Sequence, residues 1–256
     1  MKTTMNMNVL KKMMRNPKPM ALLAGALLMA TAITPAWSAI RPELTRVIAY
    51  ADDRETLVEV VNDSKETYMV QSWLEDLNGK DTGLPLVITP PVMKLEGGKK
   101  GKLRLVVMRG EIPKDRESVY WLSLQEIPPK AKDDANRLVI AIRSQIKVFV
   151  RPNGLDAKGN AEAPSKLTWR IEQSEGKRWL RATNPSAYYV SFGELAVGAV
   201  GSKGTRLKDK HRMVPPGGSE RYALPAAVQG NRVSVTWSGM NDWGGAGKEH
   251  KTEVGL

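Results

Sequence analysis

The chain has 256 residues and a formal net charge of +12, from 39 basic and 27 acidic side chains, and it contains no cysteine. That length suffices for two domains of about 100 residues each, and neither can gain stability from a disulfide bond. The two histidines, His211 and His250, stand at no spacing typical of a catalytic triad and cannot form a metal site alone. We therefore expect two solvated surface histidines in a protein that is not an enzyme and uses no metal or cofactor.

The first 38 residues predict a cleaved export signal. They contain five basic residues and no acidic one: Lys2, Lys11, Lys12, Arg15 and Lys18. An apolar run at residues 20–32 follows, and Ala36, Trp37 and Ser38 fit a small-x-small cleavage site before Ala39. The apolar run is too short to span a bilayer, although an N-terminal membrane anchor remains the alternative. We expect the mature protein in a bacterial periplasm.

The charge of the remaining chain argues against nucleic acid as a partner. Without the five basic residues of the signal the net charge falls to about +7, and only residues 99–102 form a basic run. No aromatic residue is interleaved there, so nucleic-acid binding is not expected. The modest basic excess suits acidic partners or an anionic membrane surface. Residues 198–204 resemble a phosphate-binding loop only faintly, because glycine follows Lys203, and we interpret them as a hairpin turn without a nucleotide.

From Ala39 onward the pattern is typical of β-strands. Short alternating runs are separated by turn-prone residues such as Asn78 and Gly79. The runs cover residues 46–50, 55–61, 68–74, 86–92, 102–108, 119–125 and 138–152. A count of about seven strands is that of an immunoglobulin-like sandwich.

The last of these runs, residues 138–152, is apolar on both faces where it begins. Leu138, Ile140 and Ile142 share one face, and Val139 and Ala141 take the other, which would pack on the core. A fully buried central strand would explain this pattern, and so would a strand whose second face is covered by something else. Cations and a proline, Lys147, Arg151 and Pro152, end the run.

A composition typical of a hinge follows at residues 153–165. Further strands are predicted at residues 167–171, 178–181, 188–192, 221–224 and 232–237, and no segment has a convincing helical period. The sequence therefore predicts two all-β, immunoglobulin-like sandwich domains, residues 39–152 and 153–256, joined by a short hinge. We assign the tryptophans, such as Trp73, Trp121 and Trp169, to the cores.

Several longer stretches together resemble one known family. They are residues 115–129, the end of the long strand at 145–152, Thr45 with Arg46, residues 89–91 and residues 241–245. Taken in their order along the chain, they resemble the periplasmic pilus-assembly chaperones, the PapD-like family, over essentially the whole chain after the signal. The resemblance implies two domains in a boomerang arrangement.

The resemblance also implies a way of binding a pilus subunit. Arg46 and Lys147 resemble the two cations that bind the subunit's C-terminal carboxylate in the cleft between the domains. Leu138, Ile140 and Ile142 resemble the alternating residues of a donor strand, which completes the sandwich of a subunit that lacks one strand. Such donor-strand complementation is an established form of β-strand addition. The alternative for Arg46 and Lys147 is that they are ordinary solvated strand ends.

Three further charges, Glu117, Arg151 and Asp242, resemble the family's interdomain ionic network. Their alternative is three unrelated surface charges. The connection between Pro129 and Leu138 is short, which resembles the short-loop subclass of these chaperones. An outer-membrane usher is then a second expected partner, and an exposed donor strand also invites self-association.

One detail of the spacing requires a local irregularity. Ile140 and Ile142 have even numbers and Lys147 has an odd one, so strict alternation puts Lys147 on the opposite face. We therefore expect a bulge or twist between Arg143 and Lys147.

The sequence leads to two hypotheses about function. The first is a chaperone that stabilises pilus subunits by donor-strand complementation and delivers them to the usher without nucleotide. The second is a secreted two-domain adhesin or carbohydrate-binding module, which would need exposed aromatic residues near its loop tips. Most aromatic residues here fall inside the predicted strands, which favours the first hypothesis.

Overall fold

The computed structural model describes residues 38–130, 140–202, 204–209, 211–228 and 230–255. These residues are mostly β-strand and form two hydrophobic cores, one from residues 40–150 and one from residues 163–254. Within these ranges no helix is long and apolar enough to cross a membrane. The all-β class with two sandwich domains, predicted from the sequence, is confirmed.

The first domain is built from two facing sheets. Its strands are β1 (Ile40–Pro42), β2 (Arg46–Tyr50), β3 (Thr56–Asn62), β4 (Tyr68–Glu75), β5 (Leu86–Thr89), β6 (Val92–Leu95), β7 (Lys100–Val107), β8 (Ser118–Ile127) and β9 (Arg143–Arg151), with a 3-10 turn at Arg109–Glu111. One sheet has the order β1-β3-β7-β5 and the other β2-β9-β8-β4-β6. The strand pairs are antiparallel except β2 and β9, which run parallel.

Two prolines divide one predicted strand into two. Residues 86–92 form β5 in one sheet and β6 in the other, separated by Pro90 and Pro91. Proline has no backbone N–H to give to a ladder, so a continuous strand cannot pass through both positions. Strand β1, which the sequence analysis did not predict, pairs with the end of β3.

The long strand at residues 138–152 differs from its prediction at its beginning. Strand β9 starts only at Arg143, Ile140 is 62% exposed and Ala141 is exposed instead of facing the core. Leu138 and Val139 lie outside the described residues. The backbone ladder between β8 and β9 reaches from Ser118 to Gln125, so the residues before Arg143 extend past the end of that ladder.

The bulge expected between Arg143 and Lys147 is wrong, because the register of β9 against β8 is uninterrupted. Strict alternation is kept instead: Ile146 and Val148 are buried in the core, and Lys147 lies on the outer face. Ile140 and Ile142 therefore continue the numbering of the core-facing row beyond the end of the core. The cation and the apolar row occupy opposite faces without any distortion of the strand.

The second domain also has two sheets. Its elements are α1 (Ala157–Glu162), a 3-10 turn at Ala163–Lys166, β10 (Thr168–Ser174), β11 (Lys177–Thr183), β12 (Phe192–Ala199), β13 (Thr205–Arg206), β14 (Ser219–Ala223), β15 (Arg232–Met240) and β16 (Ala246–Gly255). The sheets have the orders β10-β11-β14 and β13-β12-β15-β16. Strands β12 and β13 form the hairpin predicted near residues 198–204, which is confirmed.

The predicted hinge contains a helix, so the expectation that no segment is helical was wrong here. Asp156 caps α1 by accepting a hydrogen bond from the Gly159 N–H at 2.7 Å, and Ala163 and Pro164 then enter the second core. Asp156 is a typical N-cap residue, whereas α1 is too short for a readable period. The stretch packs on the second domain and does not behave as a free linker.

The C-terminal residues form strand β16, which the sequence analysis did not predict. In β16, His250 stacks on Trp237 of β15 at 5.5 Å between ring centroids. His250 is therefore partly covered, and the prediction of a fully solvated histidine is wrong for it. His211 is exposed, as predicted.

A buried arginine joins the two domains. The Arg151 side chain is 1% exposed; its Nε donates to Glu117 Oε1 at 2.9 Å, and its Nη1 and Nη2 donate to the two carboxylate oxygens of Asp242 at 2.8 and 2.6 Å. Glu117 Oε2 accepts a hydrogen bond from the Tyr189 backbone N–H at 2.9 Å. First-domain Glu117 and Arg151 thus bind second-domain Asp242 and Tyr189 directly, with no polar atom of the guanidinium group left toward solvent.

Burial changes the acidity of Glu117. Burial raises the pKa of Glu117 from 4.5 to about 7, although Arg151 and the Tyr189 N–H act in the opposite direction. Since the pKa is higher in the folded chain than in the unfolded one, the contribution of this group to stability falls as the pH rises from 4.5 to about 7. Glu117 is mostly ionised above that pH.

We expect Arg151→Met to cost about 3–5 kcal/mol of unfolding free energy at about pH 8, because it leaves the carboxylates of Glu117 and Asp242 without their cation. Urea unfolding followed by tryptophan fluorescence measures the loss. Arg206→Met is the matched control, since Arg206 pairs with Glu194 at side-chain exposures of 74% and 37%. Surface pairs of this kind contribute about 0–1 kcal/mol. Equal losses in the two variants would contradict the importance of the buried cluster.

Candidate functional site

Two cations stand side by side where the domains face each other. Arg46 on β2 is the register partner of Lys147 on β9. Neighbouring strands lie about 4.8 Å apart, and partners in a parallel pair point to the same side of the sheet. The parallel pairing of β2 with β9 therefore brings together two residues that are 101 positions apart in the sequence.

Both domains line the pocket around these cations, which has a volume of about 360 Å³. The first domain contributes Trp121 beside Arg46 and Lys147, and the second contributes Phe192 and Met240. The pocket is thus cationic on one wall and largely apolar on the other. A carboxylate attached to an apolar or aromatic residue would match both walls.

Arg46 is buried without a full set of hydrogen bonds. Its guanidinium carbon lies 5.5 Å from the centroid of the Phe149 ring, and Nη2 contacts the sulfur of Met240. Its Nε is buried and finds no hydrogen-bond acceptor among the described residues. Burial lowers the pKa of Arg46, while the charges of Asp242 and Glu117 oppose that shift. A buried arginine with an unused donor is suited to receive an acceptor from outside.

Lys147 also lacks a counter-ion in the part of the chain that the structure describes. Its Nζ lies 5.5 Å from the centroid of the Trp121 ring, and within the described ranges it forms no ion pair. Burial, and then the positive charge of Arg46, lower the pKa of Lys147 to about 8. Arg46 and Lys147 lie side by side on neighbouring strands, so their positive charges repel each other. An anion between them would relieve this repulsion and would also accept the hydrogen bonds that they do not yet form.

A buried carboxylate holds the start of the strand that leads to this pocket. Glu126, 3% exposed, accepts hydrogen bonds from the backbone N–H groups of Ile142 at 3.2 Å and Ile40 at 3.0 Å. The Glu126 N–H in turn donates to the Ile142 carbonyl at 3.1 Å. Sequence reasoning missed this residue, although an acid that follows Leu122 and Leu124 in the inward row of β8 was a readable signal.

Glu126 therefore fixes the position at which the segment of Ile140 and Ile142 extends beyond the first domain. The structure places them in line with the core-facing row and places Lys147 further along the same strand, on the other face. Leu138 lies outside the described residues, so the third member of the predicted donor row is not placed.

Two of the tryptophans assigned to the core lie on the outer face of the sheet instead. Trp73 and Trp121 are partly exposed, with the Arg143 guanidinium 4.7 Å from the Trp73 ring centroid and Lys147 over Trp121. Both sit at odd positions, opposite the buried leucines of β4 and β8, and cation contacts stabilise them there. Trp169 does pack against the second core.

No metal site is found in the parts of the chain that the structure describes: no three His, Cys, Asp or Glu side chains lie close enough together.

Family models match most of the chain. Residues 39–156 match the model of the pili and flagellar-assembly chaperone, PapD N-terminal domain. Residues 162–251 match that of the pili assembly chaperone PapD, C-terminal domain.

Individual relatives agree with these matches. The chain is 38% identical over 213 residues to the probable fimbrial chaperone YadV of Escherichia coli K12, covering 79% of this chain and 85% of the relative. It is 37% identical over 207 residues to the chaperone protein LpfB of Salmonella typhimurium, covering 79% and 84%.

Solved structures share the fold. The crystal structure of the YadV chaperone has a TM-score of 0.70 at 32% identity and covers 85% of this chain and 100% of that one. The Salmonella enterica SafB chaperone, solved in complex with the SafA pilin, has a TM-score of 0.71 at 23% identity, a likeness of fold alone. The matches do not favour an adhesin or a carbohydrate-binding module. The chain belongs to the PapD family of pilus-assembly chaperones.

Proposed function

We propose that the protein is a periplasmic chaperone that binds pilus subunits by donor-strand complementation and delivers them to an outer-membrane usher. The observation that carries this proposal is that one strand has an exposed apolar residue at its start and a lysine in a cationic pocket further along. The family supports pilus subunits as the partner, and the name of YadV, a probable fimbrial chaperone, agrees with it.

The apolar row supplies affinity. Ile140 and Ile142 continue the core-facing row past the core, and we propose that Leu138 extends it. A subunit that lacks one strand exposes a groove and unpaired backbone edges, which favour aggregation. Burying each aliphatic side chain in such a groove contributes about 1.5–3 kcal/mol before the costs of association.

The cationic pocket supplies register. From Ile140 to Lys147 a strand spans about 23 Å at about 3.3 Å per residue. A subunit whose C-terminal carboxylate is bound by Arg46 and Lys147 can therefore meet the apolar row in one register. A slip by one residue would turn its side chains to the wrong face, so the anchor prevents misaligned binding.

The remaining parts of the proposal rest on the family and the sequence alone. They are delivery to an usher, the short-loop subclass, cleavage of an export signal before Ala39 and the absence of enzymatic activity. We also propose that Glu117, Arg151 and Asp242 fix the angle between the domains, because their buried hydrogen bonds cross from one domain to the other.

Removing either cation should abolish subunit capture. We expect Arg46→Ala and Lys147→Ala each to lose about 2–5 kcal/mol of binding free energy, or about 30-fold or more in affinity, because the bound carboxylate keeps only one buried partner. The measurement is co-purification from a periplasm that expresses the subunit captured by the unchanged chain. A subunit peptide with an amidated C-terminus should bind equally weakly to all three proteins.

Arg104→Ala is the matched control, because Arg104 is an exposed arginine on β7 with only a surface ion pair to Glu55. It should capture the subunit normally. If either cleft variant is folded by circular dichroism and still yields as much subunit as the unchanged chain, the anchor is wrong.

The apolar row can be tested separately. Ile140→Asp should prevent capture by placing a charge in the subunit's groove, yet it should change the unfolding free energy by no more than about 0.5 kcal/mol because Ile140 is exposed. Leu57→Asp is the control, since Leu57 is an exposed aliphatic residue on β3. Equal capture by both variants would contradict strand donation.

Subunit capture should also depend on pH. The pKa of Lys147 is about 8 in the free protein, so affinity for the carboxylate should fall as the pH rises above about 8 and the lysine loses its charge. Lys147→Arg keeps a charge at higher pH and should flatten the profile between about pH 7 and 9.5. Identical profiles for the two proteins, measured by titration calorimetry with the free-acid peptide, would exclude Lys147 as the titrating group.

A further inference from the structure

The outer face of the β10-β11-β14 sheet has a row of three arginines that subunit capture does not use. Arg170 stands opposite Arg181 on β11, and Arg181 stands opposite Arg221 on β14. The residues beside them, Leu180 and Tyr222, are fully buried, so the arginine row lies on the solvent side of the sheet.

One carboxylate serves two of these arginines. Glu172 Oε1 accepts hydrogen bonds from Nε of Arg170, at 2.8 Å, and from Nε of Arg181. Nη1 of Arg181 also donates to Ser219 Oγ at 2.7 Å, which holds the guanidinium at the middle of the row in place. Glu172 is thus shared by two arginines; the charge of Glu220, which pairs with Arg212, also acts on Arg181.

The third arginine, Arg221, has no acidic side-chain partner among the described residues. The Arg221 guanidinium carbon lies 5.4 Å from the centroid of the Trp179 ring, and in the described part of the chain its side chain forms no ion pair. Lys177 adds a further positive charge to the same face. Like charges directly opposite each other on neighbouring strands destabilise a sheet. The excess of positive charge on this face is therefore best explained by a partner that supplies negative charge.

We propose that this arginine face, formed by Arg170, Trp179, Arg181 and Arg221, docks an acidic helix of a partner protein. Arginine binds carboxylates through two parallel hydrogen bonds, and arginine and tryptophan are enriched where protein interfaces gain most of their affinity. Neighbouring strands lie about 4.8 Å apart, and helix residues three or four apart lie about 5–6 Å apart. A helix that crosses the strands can therefore present one acid to each arginine.

The chemistry of the face favours a protein over a membrane. None of the described large hydrophobic side chains that are exposed lies on β10, β11 or β14, and Trp179 is only partly exposed. A membrane-binding surface combines cations with apolar side chains that enter the lipid. The arginine face has the cations, but its one apolar side chain, Trp179, lies beside the Arg221 guanidinium.

The face also lies near the candidate cleft. Arg212 donates to the Arg221 carbonyl at 3.3 Å, and the adjacent His211 lines the pocket that contains Lys147. A partner on the arginine face would therefore lie beside this pocket.

The probe is a fluorescein-labelled helical peptide with glutamates on one face, compared with a peptide of the same composition whose glutamates are distributed around the helix. The double variant Arg170→Ala/Arg221→Ala removes the ends of the row and keeps Arg181. The control is Arg206→Ala/Arg232→Ala, which removes two arginines from β13 and β15 in the other sheet, each paired with one glutamate. Fluorescence anisotropy at low and moderate salt measures binding, and circular dichroism verifies folding.

We expect the one-faced peptide to bind the unchanged chain at least tenfold more tightly than the distributed peptide, and the row variant to lose that preference while the control keeps it. Equal weakening by both double variants would reduce the effect to net charge and overturn the proposal. Row-dependent binding to phosphatidylglycerol vesicles without a peptide preference would overturn it in favour of a membrane. Subunit capture should be normal in both double variants, so this proposal can fail without affecting the chaperone function.

Discussion

The alternation of side chains along β9 is the constraint on which the rest of the molecule depends. Its even positions, such as Ile146 and Val148, complete the first core, whereas its odd positions place Lys147 in the cleft and Arg151 at the joint between domains. Because the register with β8 is uninterrupted, core, cleft and joint are fixed by one straight strand. The apolar row at Ile140 is the same periodicity continued beyond the residues that can cover it.

The joint and the pocket depend on each other. Arg151 donates hydrogen bonds to Glu117 and Asp242. Among the described residues, Arg46 and Lys147 therefore have no carboxylate of their own. The second domain meanwhile brings Met240 against Arg46 and closes the apolar wall of the pocket. Two arginines on neighbouring strands thus differ: Arg151 has acidic partners in both domains, whereas we propose that Arg46 binds an external anion.

Local periodicity made much of this readable in the sequence. The strands of the first domain, the two-sandwich architecture and the position of the cations followed from alternation, turn residues and the family motifs. The features that sequence analysis did not predict depend on contacts between residues that are distant in the chain. The side of the sheet that Trp73 and Trp121 occupy, the tie from Glu126 to Ile142 and the register that lines up Arg170 with Arg181 all arise only when strands pair. The helix at Ala157–Glu162 is too short to show a helical period in the sequence. Strand β16 was not predicted because it is mostly polar and lacks an apolar alternation.

The tie at Glu126 has a consequence for the maturation of the chain. The same carboxylate that steadies Ile142 also accepts the N–H of Ile40, a residue that is itself buried. Proteolytic trimming past Ile40 would remove this donor from a carboxylate that is only 3% exposed, which is costly for a buried acceptor. We therefore expect cleavage of the proposed export signal to leave Ile40 in place, because Glu126 also orients the strand that we propose to be donated.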